Sequence, residues 1–146
     1  MSRKKLTSQW LKALGAGAVT AGVMDAAWIG GAALKIYESK IPHLMADSVN
    51  VLPAALFYTV HLAGTTYLVV RPGDETRTHL ARLRDGAVLG VIAWGTFGLT
   101  NAAVLDRFPL SIALVDTVWG GVLTGTVALA AGKATEISRA KKSEGA

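Results

Sequence analysis

Residues 11–34 read LKALGAGAVTAGVMDAAWIGGAAL, a stretch whose only charges are Lys12 at its start and Asp25 within it. About 20 mostly apolar residues cross a hydrocarbon core as a helix, so this segment reads as a membrane span. Three further stretches meet the same requirement, at residues 51–70, 87–105 and 109–131. Pro53 falls in the first turn of the second, where a missing N–H costs little, and Pro72-Gly73 ends it. Pro109 has the fixed φ suited to opening the fourth. No stretch shows the ten-residue alternation of a barrel strand. The expected fold is all-α, an integral membrane four-helix bundle forming a single domain over residues 1–146, with a polar cytoplasmic tail over 133–146.

Composition agrees with that reading. Hydrophobic residues make up 51% of the chain, mean hydropathy is +0.40, and the charges gather at segment borders. The absence of cysteine excludes a disulfide scaffold, thiolate catalysis and Cys-ligated metals. The net charge of +5 sits in the tails and one loop, so it speaks for membrane topology and not for nucleic acid. Arg3, Lys4, Lys5 and Lys12 lie on the N-terminal side, Lys35 and Lys40 in the first loop, and Arg71, Arg77, Arg82 and Arg84 in the middle loop. Arg107 stands alone in the third loop, and Lys133, Arg139, Lys141 and Lys142 follow the last span. Counts of four, two, four, one and four place both termini and the middle loop in the cytoplasm. A signal peptide is the rival reading of the N-terminus, but the apolar stretch is too long for one and contains Asp25.

Within the spans, polar groups gather at one level. Asp25 lies about 15 Å below the outer surface, counted at the helical rise from Lys35, and Asp116 about 12 Å below it, counted from Phe108. Tyr58 and His61 fall at similar depth in the second span, and Asn101 near the outer end of the third. Asp25 with Trp28, Tyr58 with His61, and Asp116 with Trp119 are i, i+3 pairs, each on one helix face. Trp94, Phe97, Gly98 and Asn101 form a comparable face. Charge facing lipid is costly, so these faces are expected to converge on an outer-half cavity. Its ligand-binding or proton-relay residues are Asp25, Trp28, Tyr58, His61, Asn101, Asp116 and Trp119. The weight is equal for a plainer reading, in which the same groups only lock helix packing. Asp25, His61 and Asp116 are of metal-ligating type but lack a spacing motif, so neither a metal nor a cofactor is assigned, and no catalytic residue is identified.

Two further expectations concern packing. Gly22, Ala26 and Gly30, with the Gly121-x-x-x-Gly125 pair, suit a close contact between the first and fourth spans, and Gly86-x-x-x-Gly90 repeats the pattern in the third. The loop from Ile36 to Asn50 has room for a short interfacial helix around Ile41–Met45 that caps the cavity. The Asp-x-x-Trp copies at Asp25 and Asp116 lie on spans that cross in opposite directions, as in inverted repeats.

Asp25 with Trp28, Leu56-Phe57-Tyr58, Gly86 with Gly90, Leu99-Thr100-Asn101, and Asp116 with Trp119-Gly120 carry a resemblance that spans most of the chain. By these residues it resembles a bacterial family of small four-span predicted membrane proteins catalogued only as a domain of unknown function. The resemblance implies a multi-pass protein of the bacterial cytoplasmic (inner) membrane and brings no activity with it. The favoured function is binding or transport of a small or amphipathic ligand. The alternative is a structural or accessory subunit of a membrane complex. A membrane enzyme of lipid modification ranks third, because no reactive group accompanies His61 and the aspartates. The expected partners are membrane lipid and a second copy or larger membrane complex. Reporter fusions test the orientation: fusion at Ala146 should give a cytoplasmic signal and insertion near Lys40 a periplasmic one, and the reverse pattern would overturn it.

Overall fold

The computed structural model describes residues 3–143, with side chains as far as Glu136. Among the described residues there are helices and short connectors and no strand. Four helices are long and apolar enough to cross a membrane: Arg3–Lys40, Val51–Val70, His79–Val104 and Leu110–Glu136. They alternate in direction, so the termini and the 71–78 loop share one end of the bundle, and the 41–50 and 105–109 connectors share the other.

Local chemistry sets the ends. The first helix runs past the expected end of its span to Lys40, where the Ile41 amide donates to the Tyr37 carbonyl at 2.8 Å and a 3-10 turn over Pro42–Leu44 follows. The second ends at Arg71, whose backbone is left-handed at φ 50°. The third starts at His79 because Thr78 caps it, its hydroxyl accepting from the Ala81 amide at 3.1 Å. Arg82 and Arg84, which read as loop charges, therefore lie on helix. In the remaining loop the hydroxyl and amide of Thr76 hold the Asp74 carboxyl below its ordinary pKa. The fourth helix continues through Lys133 to Ser143, so the first part of the expected tail extends the span. Residues 144–146 lie outside the described residues.

The third and fourth helices form the tightest contact, and glycine makes it possible. A Cβ on Gly90 would collide with the Gly120 carbonyl group, and one on Gly86 would lie 2.8 Å from the Thr124 carbonyl oxygen. A Cβ on Gly125 would lie 2.9 Å from the Leu83 carbonyl oxygen, and one on Gly120 2.5 Å from the Trp94 ring. The two small-residue pairs thus mesh with each other. The first helix packs on the fourth through Ala13, Gly17, Ala21 and Asp25, all buried. This corrects the expected face: Gly22 and Gly30 have no atom within 4 Å of a built Cβ. The contacting stripe is displaced by one residue from the Gly22–Ala26–Gly30 row, and Gly121 faces Val91 of the third helix instead.

The second helix is held chiefly at its last turns. Thr65, Thr66, Val69 and Val70 are buried, whereas Val51, Leu52, Leu56, Phe57 and Val60 are exposed. Its final carbonyls, which no helical N–H reaches, are taken by arginine. Arg82, only 2% exposed, donates from Nε to the Val70 carbonyl at 3.0 Å and from Nη1 to Glu136 Oε1 at 2.6 Å. Arg77 donates to the Val69 carbonyl at 3.1 Å and to Asp85 at 2.8 Å. The result is a polar clamp joining three helices at the terminal end. The glycine contact gives a direct check by thermal unfolding in detergent. Gly90→Ala should lose about 1–3 kcal/mol through overpacking against backbone, while Gly22→Ala, exposed on its helix, should lose nothing and gain up to about 1 kcal/mol.

Candidate functional site

Asp25 faces inward from the first helix on the Ala13–Gly17–Ala21 stripe, and both its oxygens are engaged. Tyr58 of the second helix donates its hydroxyl to Oδ2 at 2.5 Å, and Trp119 of the fourth donates its indole N–H to Oδ1 at 2.9 Å. One carboxyl thereby joins three helices. Asp116 is about one turn from Trp119 along the fourth helix. It accepts from the Tyr37 hydroxyl, also at 2.5 Å, through Oδ2. Each aspartate is thus held by a phenol from another part of the chain, and each is 7% exposed.

Aromatic rings surround the two pairs. Trp28 stacks on Trp119 with centroids 4.8 Å apart and planes 12° from parallel, joining the two Asp-x-x-Trp copies face to face. Trp94 of the third helix presents its ring at right angles to both Phe57 and His61 of the second, with centroids 5.5 and 5.0 Å apart. The space it occupies over Gly120 exists because that residue lacks a side chain. His61 Nε2 lies 3.1 Å from Thr124 Oγ1 on the fourth helix, a hydrogen bond that fixes the imidazole at the level where the second helix begins to stand off.

Between these groups is a cavity of about 870 Å³ at the connector end of the bundle. Its walls include Ala33, Leu34, Val60 and Ala93 besides the aromatic residues, and are mainly apolar. Neither lysine nor arginine lines it, and among the described residues no group of three His, Cys, Asp or Glu could hold a metal ion.

Six of the seven residues singled out from the sequence line this cavity: Asp25, Trp28, Tyr58, His61, Asp116 and Trp119. Asn101 does not, and this corrects the expected layer. The lining on the third helix stops at Phe97, and Asn101 sits a full turn further out, where its carbonyl accepts from the Leu105 amide at 2.9 Å. Tyr37 is the residue the sequence reading missed, having been placed in the loop after Lys35. In a regular helix, residues twelve apart point about 120° away from one another. The wider π-turn over Ile29–Ala33 adds one residue and brings Tyr37 back to within about 20° of Asp25. Nothing in the residues of that turn announces it, since a second π-turn, over Thr66–Val70, holds no glycine.

The model of a family described as Predicted membrane protein (DUF2177) matches residues 10–132 of the chain, from the start of the first span to the end of the fourth. No curated protein and no solved structure matches it.

The phenol–carboxyl bond between the first and second helices should be measurable on its own. A double-mutant cycle with Tyr58→Phe and Asp25→Leu, read by unfolding in detergent, should give a coupling of about 1 kcal/mol, near the upper part of the range for bonds between membrane helices. A coupling indistinguishable from zero would mean that the second helix is not held by this bond.

Proposed function

We propose that this chain, which belongs to the family of predicted membrane proteins named DUF2177, binds an amphipathic ligand drawn from the membrane. The observation that carries the reading is the cavity of about 870 Å³, apolar along its walls and polar only at two tyrosine-held aspartates and one histidine. Sites for small molecules combine mainly apolar lining with a few fixed polar groups in this way, at volumes of about 300–1,000 Å³. The apolar part of a ligand gains by leaving lipid only if it fits the walls, so the aromatic rings supply contact and the polar groups orientation.

The second helix makes lateral passage plausible in physical terms. Its buried turns lie at the Arg82 clamp, and its other half is exposed along Val51, Leu52, Leu56 and Val60. A helix packed closely at one end, and held at the other through Tyr58 and the Phe57 and His61 contacts with Trp94, offers a flank beside those contacts through which a membrane-dissolved molecule passes. On this reading the termini are cytoplasmic, as the lysine and arginine pattern suggests, and the cavity belongs to the outer leaflet of a bacterial cytoplasmic membrane. Transport is the extension of this reading, the ligand leaving on another side from the one it entered. The rival role, an accessory subunit whose polar groups only lock helices, draws support from the fully engaged Asp25 and leaves the cavity volume without a use.

The test uses the protein in lipid nanodiscs and a dodecyl maltoside brominated near the end of its chain. Trp28, Trp94 and Trp119 line the cavity, so occupancy should quench tryptophan fluorescence in a saturable way. Ala93→Phe, which fills the cavity at an exposed position, should weaken that quenching about tenfold. Quenching that rises only with bulk detergent in the bilayer and ignores Ala93→Phe would sink the proposal.

A further inference from the structure

We infer that the ligand is a lipophilic organic cation, a protonated or quaternary amine attached to an apolar chain or ring system, seated between Asp116 and the aromatic walls. This rests on the ligand-binding reading above and adds the chemical class.

The first ground is charge. Two carboxyl groups line the cavity without a lysine or arginine among its walls, and His61 is the one basic group there, so the positive charge that balances them arrives as a proton or on a ligand. The second is which oxygen is available. Asp25 has both oxygens committed to chain donors, Tyr58 and Trp119. Asp116 receives Tyr37 on Oδ2, and among the described residues nothing donates to Oδ1. That oxygen is not among the sealed, unpartnered polar atoms of the described residues, and Asp116 lines the cavity. It is therefore the acceptor that an incoming ammonium group meets.

The third ground is the walls. Trp28, Trp94, Trp119, Phe57 and the two tyrosines line the space, and aromatic rings attract alkylammonium groups when water is excluded. The same lining disfavours anions. The protons of Tyr37, Tyr58 and Trp119 are already donated to the aspartates, which leaves the indole N–H groups of Trp28 and Trp94 as uncharged donors with no cation beside them. His61 is already hydrogen-bonded to Thr124. A bare metal ion fares no better, lacking a third ligand among the described residues.

Binding of radiolabelled tetraphenylphosphonium to the full chain in nanodiscs of zwitterionic lipid tests the inference. Saturable binding is expected, with dodecyltrimethylammonium displacing the label at least tenfold more strongly than dodecanol. Asp116→Asn should weaken binding at least tenfold, Tyr37→Phe should bind at least as tightly as the parent, and Asp106→Asn, at an exposed position in the connector, should change nothing. Equal displacement by the alcohol and the ammonium would overturn the cation while leaving an amphiphile site standing. Cation-selective binding indifferent to Asp116→Asn would overturn the assigned acceptor. No saturable binding of the phosphonium would overturn the inference, and the brominated maltoside then decides separately whether the cavity takes any ligand. Should Asp116→Asn fail to fold, the ammonium–alcohol comparison on the unaltered protein and the Tyr37→Phe affinity still decide it.

Discussion

The carboxyl of Asp25 is the constraint from which the connector end of the bundle is built. It accepts from Trp119 on the fourth helix and from Tyr58 on the second. An acid in hydrocarbon is expensive, about 2.5–3.5 kcal/mol on insertion scales, and two donors at hydrogen-bond distance offset that cost only if all three helices stay in register. The bond to Tyr58 spans the place where the second helix otherwise stands clear. Asp25 therefore holds the cavity at a fixed width, close enough for aromatic walls to face one another and far enough apart to leave volume between them.

The third and fourth helices follow a different logic. They approach until backbone meets backbone along their length, at Gly86, Gly90, Gly98 and Gly125, and at the terminal end Arg82 ties the end of the second helix to both through Val70 and Glu136. Helix association in a membrane gains little from the hydrophobic effect, so packing of small residues and interhelical polar bonds carry it. The close-packed helix pair gives a rigid frame. The first and second helices lean on that frame and leave the gap at the connector end.

Much of this was legible in the sequence. Four apolar stretches with Asp25, His61 and Asp116 inside them pointed to a four-helix membrane bundle with a polar level, and six of the named residues meet around one cavity. What was missed has physical causes. Tyr37 was hidden because Lys35 looked like a span border, whereas the helix runs on to Lys40 through a π-turn that rotates Tyr37 inward. Arg82 was counted as a loop charge, because nothing in a list of residues shows that orphan carbonyls at Val69 and Val70 need donors. The Gly22–Ala26–Gly30 row was assigned to a contact that its neighbours Ala13, Gly17 and Ala21 make, since a stripe displaced by one residue looks equally small in composition. Asn101 shared the right face but lay one turn beyond the rim.

The reading of the site depends on the cavity being open to small cationic molecules from outside the bundle, and the chain has no cysteine to obscure a direct test. Ala33 and Ala21 are both buried, at 5% and 2% exposed, but Ala33 lines the cavity and Ala21 sits in the packed core with Leu123 and Val127. Single cysteines at these positions, treated in nanodiscs with the small cationic thiol reagent methanethiosulfonate ethylammonium, separate access from burial. The account predicts rapid modification of Ala33→Cys and none of Ala21→Cys over the same time. Equal inertness of the two would mean a sealed interior and would contradict it.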